Sequence, residues 1–285
     1  MSEDAPTPSR LVRALAFGGV ARVLLVTAEG PANTAAQNHG LEGHAARLAA
    51  EALVGNVLLS AHTKGEERLL LELASRLPAL TYSGEVWSDG SCRARFHPKR
   101  LPAMHGLQGT LCAVKWDARR ELYRGVAELA HDSLQAAFQG FLSSSQQTVG
   151  VVRVEATEQD GRLTCAAGAL IELLPGGLSE ADFEDLFGHL RTAAIDELVG
   201  ALRQPTLPLE FEALGVPLTV LEDRPLQHRC TCSLDRVEGT LIALGAGELE
   251  AILRDPGEAE VTCHFCNTRY EVGPDRLREL IVSLG

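Results

Sequence analysis

Four cysteines near the C-terminus form two close pairs, Cys230 with Cys232 in a Cys-Thr-Cys segment and Cys263 with Cys266 in a Cys-His-Phe-Cys segment. Thirty residues separate the two pairs. Thiolates are soft ligands that suit zinc, and two close pairs brought together by the intervening chain can supply a tetrahedron of four sulfurs. A closed all-sulfur site is normally structural, because catalytic zinc keeps one position for water. The spacing therefore predicts a zinc site with these four ligands.

The Cys-Thr-Cys spacing is unusual, because zinc ribbons usually carry two Cys-x-x-Cys turns. In an extended strand, residues i and i+2 lie at the upper limit of the Cα separation that a disulfide tolerates, about 4.4–6.8 Å. A Cys230–Cys232 bridge would require the local backbone to bend, and strained bridges are the easily reduced, regulatory kind. On spacing alone, a static structural zinc site and a redox switch are equally supported.

Composition excludes several classes of protein. The 285 residues carry a net charge of −12, which opposes nucleic-acid binding, since that needs a basic face to replace counterions. We expect no membrane segment, because no apolar run approaches the ~18 residues that a spanning helix needs. The polar N-terminus does not read as a signal peptide, so we expect a cytoplasmic protein with reduced thiols. In that setting the resting cysteines favour metal over disulfides.

The coarse pattern of elements predicts an α+β protein with three parts. Residues 1–174 form a mixed domain, residues 175–225 an acidic and mainly helical linker, and residues 226–285 a small four-cysteine zinc domain. The linker holds 3 Lys or Arg against 10 Asp or Glu, so it repels itself and is only marginally stable. Its apolar stripe must lie against another surface, and it comprises Phe183, Leu186, Phe187 and Leu190.

Apolar periodicity locates the individual elements. A hairpin is expected around Gly18-Gly19, and helices at residues 41–61, 134–142, 179–190, 247–254 and 274–284. Strands are expected at residues 68–73, 79–87, 92–97, 109–116, 121–129, 148–156 and 163–174. A second hairpin, residues 260–272, carries the second cysteine pair at its turn. Cys92, Cys112 and Cys165 fall in strands and are expected to be inert core thiols.

The residues around the cysteines resemble a known family, the bacterial redox-regulated holdase chaperone HslO, the thirty-three-kilodalton heat-shock protein. The C-terminal matches are Cys230-Thr231-Cys232-Ser233, Leu244-Gly245 with Glu248-Leu249, Val261 to Asn267, and Tyr270. The upstream matches are Arg13-Ala14-Leu15, Tyr123 to Val126, Ser145-Gln146, and Ala167-Gly168 with Leu173-Leu174-Pro175. The resemblance covers nearly the whole chain in order, and its Cys-x-Cys and Cys-x-x-Cys end is the specific part.

The resemblance implies a holdase chaperone that needs no ATP, in keeping with the lack of any Gly-Lys-Ser/Thr segment in the chain. In the reduced state the four thiolates hold one zinc ion and the protein is inactive. Oxidation forms Cys230–Cys232 and Cys263–Cys266 disulfides, releases zinc and unfolds the linker, which exposes a surface for unfolding client proteins. The apolar stripe is a candidate for that surface. The resemblance also implies a homodimer when oxidised and hand-off of clients to a DnaK-type refolding system, with no enzymatic activity.

Two other classes of function compete with the holdase. A thiol oxidoreductase would use Cys263 and Cys266, but such a pair normally opens a helix in a thioredoxin-like unit, not a hairpin. A zinc-ribbon nucleic-acid module is opposed by the net charge of residues 226–285, which hold 6 Lys or Arg against 10 Asp or Glu.

Overall fold

The computed structural model describes residues 8–102, 106–144, 149–174 and 218–284. The chain forms two compact units, Met1–Arg229 and Cys230–Gly285. The helices of the first unit are α1 (Glu29–His39), α2 (His44–Leu59) and α3 (Leu134–Ser144). Those of the second are α4 (Leu234–Leu244), α5 (Ala246–Arg254) and α6 (Pro274–Val282). Among the helices of the described residues, none is both long and apolar enough to span a membrane.

Two sheets make up most of the first unit. Its strands are β1 (Arg10–Ala16), β2 (Ala21–Thr27), β3 (Arg68–Leu77), β4 (Ala79–Trp87), β5 (Ser91–His97), β6 (Leu107–Trp116), β7 (Glu121–His131), β8 (Gly150–Gln159), β9 (Arg162–Leu173), β10 (Thr219–Pro225) and β11 (Gln227–His228). The five-stranded sheet has the order β10-β1-β2-β9-β8, and the six-stranded sheet β11-β5-β4-β3-β6-β7. All neighbours are antiparallel except β11 and β5. The α+β fold class predicted from the sequence is confirmed.

The first hairpin follows from its turn residues. Gly18 and Gly19 have φ of +66° and +97°, a region that glycine enters without a Cβ penalty. The chain therefore reverses there, and β1 and β2 pair in register from Arg10 opposite Thr27 to Ala16 opposite Ala21. The predicted hairpin is confirmed.

Helix α2 forms the centre of the first unit's core. Nearly all of its side chains are buried, and it contacts strands of both sheets, β8 and β9 on one side and β4 and β5 on the other. Its three less buried side chains, His44, Arg47 and Glu51, follow one another at i, i+3 and i+7 on one face, and the two sheets cover the apolar surface on the rest of the helix. The predicted helix over residues 41–61 is therefore confirmed, with both ends a few residues inside the prediction.

The segment that leads into the second unit differs from the prediction. Residues 219–225, assigned to the linker by the sequence, form β10 and pair with β1 from Arg10 opposite Pro225 to Leu15 opposite Thr219. The first compact unit extends to Arg229, so residues 226–229 belong to it and not to the second unit. These residues join the first unit because their main chain pairs with β1 and β5, two strands that are distant in sequence. The predicted apolar stripe, with the rest of residues 175–217, lies outside the described residues.

The second unit has a small core around a hairpin of β12 (Ala259–Thr262) and β13 (Arg269–Val272). Seven side chains are buried together, namely Val237, Leu241, Leu249, Ala259, Val272, Leu277 and Leu280. The hairpin, α5 and α6 lie where the sequence predicted them, whereas α4 was not predicted. A unit of this size buries little apolar surface, so without a cross-link such as a disulfide or a metal ion its folded state is only marginally stable.

Candidate metal centre

The turn of the second-unit hairpin positions Cys263 and Cys266. The Cys263 amide donates to the Thr268 carbonyl at 2.9 Å, and the Asn267 amide donates to the Cys263 carbonyl at 2.9 Å. Asn267 has φ of +55°, a left-handed conformation that asparagine tolerates better than most residues. The turn therefore places both sulfurs beyond the end of β12.

The start of α4 positions the other pair. Ser233 is the N-cap of α4, and its hydroxyl accepts a hydrogen bond from the Arg236 amide at 3.3 Å. The Arg236 guanidinium also donates to the Thr231 hydroxyl at 2.7 Å, between Cys230 and Cys232. The cap and this side-chain bond together hold the Cys-Thr-Cys segment against the first turn of the helix.

The structure brings the four predicted ligands together. The Cys230 and Cys263 sulfurs lie 3.6 Å apart, and the Cys232 and Cys266 sulfurs 3.4 Å apart. These separations are well beyond the ~2.05 Å of an S–S bond. All four sulfurs lie within 4.8 Å of one another. A tetrahedron with the Zn–S distance of about 2.3 Å has edges of about 3.8 Å, so the four sulfurs fit a zinc ion.

Two hydroxyl groups contact these sulfurs from β13 and the turn before it. The Tyr270 hydroxyl donates a hydrogen bond to the Cys232 sulfur at 3.1 Å, and the Thr268 hydroxyl lies 3.2 Å from the Cys266 sulfur. Sequence reasoning did not assign either residue to the site. A signal was present, since Thr268 and Tyr270 follow Cys266 by two and four residues, the spacing of one face of a strand.

The surroundings separate the pKa values of the thiols. Burial, with hydrogen bonds from the other sulfurs, raises the pKa of Cys232 to about 12 against the opposing effect of Tyr270. Burial likewise raises the pKa of Cys263. At Cys266 burial is outweighed by hydrogen bonds from the Thr268 side chain and backbone and from Cys232, which lower its pKa to about 7. When the thiols hold no metal, the Cys266 sulfur is therefore closer to its reactive thiolate form at neutral pH than Cys232 or Cys263 is.

The other three cysteines lie in strands of the first unit, as expected. Cys92 and Cys165 are buried in β5 and β9, and Cys112 is half-buried in β6. Burial, helped by Asp89, raises the pKa of Cys92 to about 12, which keeps it a protonated, unreactive thiol. Within the described residues, the group of possible metal ligands is confined to the C-terminal four cysteines.

The fold and the site define a class of protein: a two-sheet α+β unit joined to a small unit that gathers four thiols at one metal-sized position. A family model described as "Hsp33 protein" matches residues 9–273 of the chain. Because that match spans most of the sequence, the chain belongs to the Hsp33 family, as the residues around the cysteines predicted.

Individual relatives agree with this assignment. The chain is 28% identical to the 33 kDa chaperonin of Bacillus velezensis over 288 residues, covering 95% of this chain and 97% of the relative. It is 27% identical to the 33 kDa chaperonin of Bacillus subtilis with the same coverage. A crystal structure of the 33 kDa chaperonin from Thermotoga maritima matches with a TM-score of 0.82 and 19% identity, over 96% of this chain and 98% of that one. The structural match shows a shared fold, and the relatives' names support a chaperone function.

Proposed function

We propose that this protein is a redox-regulated, ATP-independent holdase chaperone whose four-sulfur centre controls when it binds clients. The observation that carries the proposal is the gathering of Cys230, Cys232, Cys263 and Cys266 within 4.8 Å in a unit with a small core. Membership of the Hsp33 family supports the chaperone part, and the geometry of the sulfurs supports the control by metal and oxidant.

The sulfurs act first as a structural link. They come from two distant places in the unit, the start of α4 and the hairpin turn, so a shared ion cross-links both to each other. When bound, zinc supplies roughly 10–16 kcal/mol of folding free energy, compared with the ~5–15 kcal/mol stability of a whole domain. The reduced second unit therefore depends on its four thiolates for most of its stability.

Oxidation removes the ligands that make this link. We propose that Cys230 pairs with Cys232 and Cys263 with Cys266, the pairing that the family resemblance implies. A disulfide sulfur is no longer a thiolate ligand, so both disulfides together abolish the site. The second unit then loses the ion that cross-links it and unfolds, because a core of seven buried side chains is too small to keep it folded.

Unfolding of the second unit is proposed to loosen the acidic segment that precedes it. That segment carries the apolar stripe of Phe183, Leu186, Phe187 and Leu190, which we propose as the client-binding surface. We further propose that the oxidised protein is a cytoplasmic homodimer, that it passes clients to a DnaK-type refolding system, and that it binds neither nucleic acid nor membrane.

The reactive-thiol alternative has less support. Cys263 and Cys266 lie in a hairpin turn and not at the N-terminus of a helix, where a dithiol oxidoreductase gains its low thiol pKa. An insulin-reduction assay separates the two classes of protein. A holdase should not catalyse the reduction of insulin disulfides, whereas a thiol oxidoreductase should.

The test compares the reduced, zinc-loaded chain with the same chain after peroxide treatment. We expect peroxide to release one zinc per chain and to remove four thiols, and only the treated form to suppress light scattering from a heat-unfolding client enzyme. Replacement of all four ligand cysteines by serine should abolish the difference. Cys112→Ser, which changes a half-buried cysteine of β6, is the matched control and should switch normally. Equal client protection by the reduced and treated forms would refute the switch.

A further inference from the structure

Strand β7 is the outermost strand of the six-stranded sheet, on the side away from β11. It pairs with β6 along one side, and no strand of the described residues pairs with its other side. β7 is 11 residues long, about twice the usual strand length of 5–6 residues. Natural proteins normally shorten, bend or cover such an edge, because its unpaired N–H and C=O groups are a template for another strand. β7 therefore offers an edge to which a further strand can be added.

The side chains on the outer face of β7 are exposed to solvent. They are Leu122, Arg124, Val126, Glu128 and Ala130, and they alternate with less exposed residues. Val126 is a large apolar side chain at the middle of the strand, and it is 57% exposed. Arg124 and Glu128 lie two residues before and two residues after it and carry opposite charges. When a second copy of this strand runs in the opposite direction, the order of charges is the complement of the first.

Only one register of an antiparallel pair of β7 strands matches these charges. Directly opposed residues of such a pair lie on the same face, so a two-fold axis must pass through a residue position and not between two positions. With the axis at Val126, Arg124 of each copy lies opposite Glu128 of the other, and the two Val126 side chains meet. An axis at Arg124 or at Glu128 would instead oppose like charges. An axis at Gly125 or at Ala127 would leave both charges opposite apolar side chains.

We propose that two copies of this chain associate edge to edge through β7, with the two-fold axis at Val126. The inference rests on the homodimer of the proposed function and names the surface on which its two copies meet. Opposite charges directly across an antiparallel pair stabilise a sheet, and like charges destabilise it. The Arg124 guanidinium also contacts Glu121 of its own strand at 2.6 Å. Its five N–H donors allow it to bind a second carboxylate from the other copy as well.

The first experiment exchanges the two charges in the full chain. Sedimentation equilibrium of the peroxide-treated protein gives the dimer dissociation constant of the wild type, of Arg124→Glu, of Glu128→Arg and of the double variant. Each single substitution opposes like charges at both pairs and should weaken the dimer about tenfold. The double variant restores opposite charges in exchanged positions, so its constant should return to within about threefold of the wild type. Lys99→Glu changes the charge equally at an exposed position after β5 and should leave the constant unchanged.

A single cysteine at the axis gives a second test. Val126→Cys places two identical thiols directly opposite each other, where Cα atoms lie about 4.5–5.5 Å apart, within the range that a disulfide bridges. The variant is made together with Cys112→Ser, because Cys112 lies opposite Val126 within the same chain and would compete for the new thiol. After peroxide treatment, non-reducing electrophoresis should show a cross-linked dimer. Ala130→Cys in the same background should not cross-link, because its two copies lie at opposite ends of the paired strands.

The results separate this surface from the proposed function. A dimer that keeps its dissociation constant in Arg124→Glu and does not cross-link through Val126→Cys would place the contact elsewhere and overturn the role of β7. A wild-type chain that stays monomeric after peroxide treatment would overturn it as well. Recovery of the dimer in the double variant excludes a simple loss of fold in the single variants. Equal client protection before and after peroxide would instead refute the redox switch, and recovery by charge exchange would still support the β7 contact.

Discussion

Gly55 lies directly against the ring of Phe138, where α2 and α3 pack in the core of the first unit. A Cβ at Gly55 would lie 2.1 Å from two ring carbons of Phe138, and Phe138 is fully buried. No flexible side-chain end is available to move aside, since the ring is enclosed. The absence of a side chain at Gly55 therefore determines how closely the two helices approach.

Gly55→Ala should destabilise the first unit. A methyl group inserted into a packed core costs about 1–3 kcal/mol, and the enclosed ring places this variant at the upper end. Urea denaturation followed by fluorescence measures it, because both tryptophans, Trp87 and Trp116, lie in strands of this unit. An unchanged midpoint would mean that α3 can shift away from α2.

Gly239→Ala is the matched change in an open position, and its sign should be opposite. Gly239 is exposed in the middle of α4, and no atom lies within 4 Å of a Cβ built there. Alanine in a helix interior is favoured over glycine by about 0.5–1 kcal/mol. The second unit should therefore be more stable to unfolding, and the backbone amides of α4 should exchange their hydrogens more slowly than in the wild type. Destabilisation would reveal a need for glycine that the surroundings of this position do not explain.

Glu51 should make the stability of the first unit depend on pH. Burial within α2, opposed by Arg47 and helped by Glu155, raises the pKa of the Glu51 carboxyl to about 7. A raised pKa means that the folded state binds a proton which the unfolded state has released. The free energy that this proton adds to the stability of the folded state is fully present below the unfolded pKa of about 4.3. It is lost as the pH rises through the folded pKa of about 7.

Glu51→Gln tests this contribution. The variant should match the wild type near pH 5 and exceed it near pH 8, by at most about 3 kcal/mol, because one unit of pKa shift corresponds to 1.36 kcal/mol. Urea midpoints across this pH range give the comparison. Glu66→Gln, at an exposed turn, is the control and should leave the pH dependence unchanged. Parallel profiles for wild type and Glu51→Gln would contradict the expectation.

The features predicted correctly from the sequence are those with a local cause. Helix α2 repeats apolar residues at helical spacing, and the Gly18-Gly19 turn needs positive φ, so each leaves its signal within a few residues. The gathering of the four cysteines at one position could be predicted for the same reason. Two cysteine pairs at close spacing carry their chemistry in the residue types themselves.

The features that were missed are held by distant partners or by small side chains. Strand β10 is mostly exposed and is fixed by backbone pairing with β1, with an ion pair of 2.8 Å between Arg13 and Glu222. Such pairing across some 200 residues leaves little pattern in the local sequence. Helix α1 buries mainly alanines and carries glycine and proline in its first turn, so its apolar periodicity is weak.

Helix α4 was a different kind of omission, because its signals were present. Ser233 is a good N-cap, and Leu234, Val237, Leu241 and Leu244 follow at helical spacing. The Tyr270 contact with Cys232 also had a strand-period signal. The two-residue periodicity of a strand does not predict which sulfur a side chain contacts, because that contact depends on how the β12–β13 hairpin packs against the start of α4.

Arg276→Gln should weaken the second unit through its pairing with Glu238. The Arg276 guanidinium donates to both Glu238 oxygens, at 2.8 and 2.7 Å, and thereby joins α6 to α4. The hydrogen bond from Arg276 lowers the pKa of Glu238, so this support is present at neutral pH and is lost as the pH falls through that lowered pKa. We expect faster transfer of zinc to a chelator at pH 7, with the difference reduced at high salt.

The control for this variant lies on the same helix. Arg278 pairs with Asp275, but both side chains are exposed, by 59% and 94%, so the pair is screened by water. Arg278→Gln should therefore transfer zinc at the wild-type rate. Equal acceleration by both substitutions would indicate a general effect of charge on α6 and not the specific link to α4.

Removal of the metal should unfold one unit and spare the other. Chelation of zinc from the fully reduced chain leaves the second unit with its seven-residue core alone, whereas the first unit keeps a core shared between two sheets and α2. Hydrogen exchange read by mass spectrometry should show that α4, α5, α6 and the β12–β13 hairpin lose protection, while α2 and β9 keep theirs. Readdition of zinc should restore protection without any oxidant or reductant, because metal binding and folding are coupled. Full protection of α4 to α6 in the chelated protein would show that the sulfurs are dispensable for the fold, and the proposed control of the second unit by its metal would then fail.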